Sequence, residues 1–92
     1  MTSKETKKIV TQKNKKDSAE GNFLILHNDD EHSFDYVINA LIEICKHDYE
    51  QAAQCTLITH HKGKCDIKKG GFGSLKPLKT ALIEKKLTAT ID

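Results

Sequence analysis

Asn28, Asp29 and Asp30 put three acceptor-bearing side chains in a row. Carbonyl and carboxylate oxygens grouped this way suit a cation that brings N–H donors. The same residues can equally form a polar turn that caps a following helix. Further along, His60 offers a neutral ring nitrogen that can accept one more N–H. Its plainer reading is a half-buried, hydrogen-bonded histidine. His61 reads as exposed, or as a partner for a helix C-terminus. Cys55, His60, His61 and Cys65 together invite zinc, but the spacing argues against it. On a helix, Cys55 and His60 point about 140° apart, and no C-x-x-C pair is present. No metal or cofactor is expected, and Cys45 is most simply a core residue. The chain has no nucleophile elbow, phosphate loop or H-E-x-x-H motif, so an enzyme is not expected.

Positioning these residues falls to a short series of elements. Asn22-Phe23-Leu24-Ile25-Leu26-His27 is an apolar run that reads as a buried strand ending at the acidic turn. From about Phe34 to Lys46, residues Phe34, Val37, Ile38, Leu41, Ile44 and Cys45 fall at helical spacing. Ser33 is the candidate N-cap, and Asp35 favours the positive end of the helix dipole. Asp48 followed by Gln51 resembles a capping box, so a second helix starts at Tyr49. Its inner face would hold Tyr49, Ala52, Ala53, Thr56, Leu57 and His60, with Gly63 as the stop. Lys64–Lys68 alternates as a strand, and Gly70-Gly71-Phe72-Gly73 reads as a flexible turn. Ser74 would cap a third helix, with Pro77 in its first turn and Leu75, Leu78, Leu82 and Ile83 facing inward. Leu87–Asp92 is the last strand. The order is β-α-α-β-α-β, an α+β pattern.

Ninety-two residues bound one small domain. All fifteen basic residues are lysine, against thirteen acids. Residues 1–20 carry a net +3 and residues 21–92 a net −1. The first segment is poor in apolar residues, so 1–20 is expected to be a disordered, lysine-rich tail and 21–92 the folded domain. The tail reads first as a solvated arm and second as a partner-contacting one. Nucleic acid is disfavoured because no arginine and no interleaved aromatics accompany the lysines. No apolar run is long enough for a membrane span. The opening residues lack the pattern of a secretory signal, and absent arginine disfavours a mitochondrial presequence. Three cysteines without such a signal point to free thiols in a reducing cytoplasm.

Leu26-His27-Asn28-Asp29-Asp30, followed by Phe34-Asp35-Tyr36-Val37-Ile38, resembles the hydrophobic–Asn-Asp-Asp opening of the ClpS adaptor family. So does Ala52 followed by His60-His61-Lys62-Gly63-Lys64, and Leu87–Asp92 resembles the family's last strand. The resemblance spans residues 21–92. It implies a three-stranded antiparallel sheet with three helices. It also implies a monomeric cytoplasmic adaptor that makes no contact with nucleic acid or membrane. Such adaptors bind proteins through a free N-terminal amino group and a bulky first residue, the N-degron, and deliver them to the ClpA unfoldase with the ClpP protease. By the same resemblance, Asn28, Asp29, Asp30 and His60 would hold the amine. His32, Phe34, Val37, Thr56, Thr59 and Leu87 would line the side-chain pocket. Lys79 would contact the unfoldase, and the tail would enter it during delivery.

Three departures from the family pattern stand out. Thr56 and Thr59 occupy positions that are usually apolar, so the pocket should be more polar or less deep. Phe34 replaces a methionine-like gate, and a rigid ring adapts less than a thioether. The opening of the third helix, Ser74-Leu75-Lys76-Pro77, lacks the family's threonine-and-acid pattern. These departures motivate an alternative: a ClpS-like interaction module with an altered pocket, serving a different peptide or protein partner.

Overall fold

The computed structural model describes residues 21–92; the segment 1–20, expected as a tail, lies outside the described residues. The elements are β1 (Asn22–His27), α1 (Phe34–Cys45), α2 (Tyr49–Lys62), β2 (Lys64–Gly70), α3 (Phe72–Glu84) and β3 (Thr88–Ile91). The strands form one sheet in the order β2-β1-β3, antiparallel at both seams. This is the α+β architecture expected from the sequence.

β1 takes the centre because it is the most apolar strand. Leu24 and Leu26 are buried at 0% and 1% exposure and join the main core. Ile25 points to the opposite face, as a period of two requires, and is buried outside that core between Asp66 and Thr90 of the flanking strands. On the edge strands Cys65, Ile67 and Ala89 turn inward, while Lys64, Asp66, Thr88 and Thr90 stay exposed. Leu24 pairs with Lys68 and Ile25 with Asp66, so Ile67 is an extra residue at a bulge.

Two of the three predicted N-caps form, Ser33 and Asp48. Ser33 Oγ accepts from the Tyr36 amide at 3.1 Å, and Asp48 Oδ1 accepts from the Gln51 amide at 2.8 Å. α2 ends at Gly63, whose φ of 92° is left-handed and costs glycine no Cβ clash. Ile38, Leu41 and Cys45 of α1 and Ala52 and Cys55 of α2 close over β1. All three cysteines are free and buried. Burial, and then the neighbouring Cys55, pushes the Cys65 thiol up to about 12.

The buried stripe of α2 is rotated from the expected one. It runs through Ala52, Cys55, Thr56 and Thr59, while Tyr49, Leu57 and His60 are exposed. Small residues let α2 sit close to β2 and α1, so the large side chains are turned outward.

α3 departs further. It begins at Phe72 rather than after Ser74, and Gly70–Gly73 divides between a strand end and a helix start. Gly71 is the N-cap; it offers no side-chain bond, but its carbonyl accepts from the Ser74 and Leu75 amides at 3.0 Å. Ser74 is thus inside the helix, and Pro77 lies in its interior rather than its first turn. Leu75 and Leu82 are buried as expected and Leu78 packs against the core, but Ile83 is 46% exposed.

Candidate functional site

A cleft opens where β1 runs out, α1 begins and α2 ends. Its wall comprises Leu26, His27, Asn28, Asp29, His32, Ser33, Phe34, Val37, Thr56, Thr59, His60 and Leu87. Aliphatic and threonine side chains form the inner wall, and polar groups gather at the mouth.

Asp29 organises the mouth. Its Oδ1 accepts from the Glu31 amide at 2.9 Å and the His32 amide at 3.1 Å. The His32 ring lies within reach as well, with Nδ1 3.1 Å from Oδ1 and 3.2 Å from Oδ2. A carboxylate only accepts, so Nδ1 is the donor. Partial burial pushes the Asp29 carboxyl upward. The bonds from the Glu31 amide, the His32 ring and the His32 amide outweigh it and hold the pKa below the ordinary carboxylate value. Asp29 is therefore a fixed anion.

A relay of contacts braces this arrangement. The His32 ring stacks on Tyr36, with centroids 4.7 Å apart and planes 18° apart. The Tyr36 hydroxyl in turn donates to the Lys85 carbonyl at 2.8 Å, which ties the start of α1 to the end of α3. His27 shares a 2.8 Å hydrogen bond with Thr90 of β3.

The opposite side of the mouth belongs to the last turn of α2. His60 meets Phe34 edge to face, with centroids 5.3 Å apart and planes at 69°. The Asn28 amide donates to the Gly63 carbonyl at 2.9 Å, so the turn after β1 is fastened to the end of α2. Deeper in, Thr56 and Thr59 donate their hydroxyls to the carbonyls of Ala52 and Cys55, each at 2.8 Å.

Most residues expected at the site meet in this one cleft: Asn28, Asp29 and His60 at the mouth, and His32, Phe34, Val37, Thr56, Thr59 and Leu87 around it. Asp30 does not. It is exposed and absent from the cleft wall, because the bonds of Asp29 turn the chain after it. Lys79 is half-buried on α3, away from this wall. Leu26, His27 and Ser33 also line the cleft, in addition to the expected site residues. Their positions at the strand end and helix cap were the available signal. Among the described residues no three His, Cys, Asp or Glu side chains are grouped to hold a metal ion. No helix there is long and apolar enough to cross a membrane.

A cleft with a fixed anion at its mouth and an interior of aliphatic and threonine side chains defines a small α+β binding domain. The chain belongs to the ClpS family, the ATP-dependent Clp protease adaptor proteins, whose family model matches residues 17–90. Among solved structures, that of Agrobacterium tumefaciens ClpS2 bound to L-phenylalaninamide shares the fold. The TM-score is 0.73 at 16% identity, covering 77% of this chain and 93% of that one. No match is found among curated proteins. The family assignment makes this chain an adaptor of the Clp system.

Proposed function

We propose that the cleft binds the N-terminal residue of a protein, holding its free amino group at the mouth and its bulky side chain inside. The observation that carries this reading is the Asp29 carboxylate, anionic and fixed by three neighbouring N–H groups at the entrance of a cleft whose inner wall is aliphatic and threonine side chains. An N-terminal ammonium has three donors and one positive charge, which Asp29, Asn28 and His60 complement as acceptors. Asp30, pointing to solvent, is not included in this set. Acetylation removes the charge and two of the donors, leaving the acceptors at the mouth unpaired. The ligand in the related ClpS2 structure, L-phenylalaninamide, has the same two parts: a free amine and a bulky side chain.

The adaptor then passes its cargo to a ClpA-type unfoldase in the cytoplasm. Lys79 on α3 is the proposed contact, and residues 1–20 form the proposed arm that accompanies delivery. Fluorescence anisotropy with a Phe-initiated peptide tests the binding step. The free-amine peptide is expected to bind and its acetylated form to bind at least tenfold more weakly (about 1.4 kcal/mol). Equal binding of both forms overturns the reading and leaves the chain as a ClpS-like module for another partner.

A further inference from the structure

Thr56 and Thr59 are the polar residues of the inner wall, and both are almost fully buried, at 4% and 5% exposure. Each spends its hydroxyl hydrogen on the helix carbonyl four residues back, at 2.8 Å. A hydroxyl has one hydrogen and two acceptor lone pairs. With the hydrogen committed, a guest can meet these oxygens only as acceptors. Rotating a hydroxyl towards a guest would give up a bond already made, so an acceptor on the guest gains nothing. The neighbouring inner residues Leu26, Val37 and Leu87 are aliphatic and offer no competing polar group.

We infer that Thr56 and Thr59 are specificity determinants that favour a first side chain carrying an N–H or O–H near its tip, tryptophan or tyrosine, over phenylalanine. The inference rests on the N-terminal-residue reading given above. The preference is graded rather than absolute. Each threonine oxygen already has one hydrogen bond, so an idle lone pair beside a phenyl ring carries little of the cost of an unpaired polar group. Phenylalanine therefore still binds. A donor that reaches a threonine oxygen gains one neutral hydrogen bond, roughly a three- to tenfold effect on affinity.

The test uses the full chain and free-amine peptides that differ only at the first residue. Tyrosine is compared with 4-fluorophenylalanine, which has nearly the same shape without the donor. Tryptophan is compared with 3-benzothienylalanine, in which sulfur replaces the indole N–H. The donor-bearing peptide of each pair is expected to bind about three- to tenfold more tightly. In a Thr56→Val/Thr59→Val double variant the gap within each pair is expected to shrink below about twofold. Equal binding within both pairs on the wild-type chain overturns the inference, and so does a gap that survives the double variant. The wild-type comparison decides even if the variant folds poorly. If no free-amine peptide binds at all, the amine reading fails and takes the inference with it. If free-amine peptides bind but the donor-bearing peptide of neither pair binds better, only the inference fails.

Discussion

Two strands of this domain run directly into helices, and the two junctions are built in opposite ways. Between β1 and α1, residues 28–33 are dense with side-chain acceptors: Asp29 holds two amides and a ring N–H, and Ser33 caps the helix. Between β2 and α3 there is only Gly71, which caps through its backbone and offers no side chain. Both junctions reverse the chain over the same sheet. Only the first leaves a fixed charge at a cleft. A turn stabilised by side chains carries chemistry as a by-product of its own hydrogen bonding, whereas a glycine turn carries none.

The sharpest way to break this contrast is at Asp29. In Asp29→Asn, a carbonyl remains to accept from the Glu31 and His32 amides while the charge disappears. Affinity for a free-amine peptide is expected to fall by roughly ten- to a hundredfold, with little change in melting temperature. Asp29→Ala should lose the same affinity and, in addition, about 1 kcal/mol of stability, read from urea midpoints. Unchanged affinity in both variants would reduce the turn to a purely structural device.

The caps allow a smaller, symmetric test. Ser33→Ala removes the bond to the Tyr36 amide and is expected to cost about 1 kcal/mol. The strand leading into the second junction is tied to the segment between α1 and α2. His47 is buried, and its Nε2–H donates to the Ile67 carbonyl of β2 at 2.8 Å, while Nδ1 has no partner. Burial, the largest cause, outweighs the opposing bond to the Ile67 carbonyl and, helped by the nearby Lys68, holds its pKa below the ordinary histidine value. The unfolded chain titrates this group near about 6.5. Below that pH the unfolded state takes up a proton that the folded state resists, so stability falls as the medium is acidified. His47→Gln can keep the donor to Ile67 without titrating. Urea midpoints of wild type should drop more than those of the variant between pH of about 7.5 and about 5.5; parallel curves would remove His47 from this role. The smallest effect is expected at Ser74→Ala, within about 0.5 kcal/mol, because Ser74 does not cap α3. A loss comparable to that of Ser33→Ala would mean that the two junctions are alike after all.

The sequence revealed the parts that follow from local chemistry. Ser33 and Asp48 are caps because a short side-chain oxygen precedes a helical apolar pattern, and both form as read. The apolar run around Leu24 identifies the central strand. What stayed hidden depends on phase and rotamer. Nothing in Asn28-Asp29-Asp30 indicates which acid faces the cleft, since that is decided by the amides of Glu31 and His32 folding back onto one of them. Gly71 is a silent helix start, because a backbone-only cap has no side-chain signature. Thr56 and Thr59 raise the expectation of a more polar pocket. Only the structure reveals that their hydrogens are turned back onto α2 and that acceptor oxygens are what remains.

The bond from the Asn28 amide to the Gly63 carbonyl reaches beyond geometry. The two sides of the cleft mouth are far apart along the chain and come into register only when β1 and β2 have zipped together. Under the proposed function, ligand affinity would therefore be a reading of sheet integrity: a chain whose β1–β2 seam has frayed would have no mouth to offer. By linkage, each occupied cleft should hold that seam shut, slowing amide exchange along both strands. A loaded adaptor would be a more rigid body than an empty one.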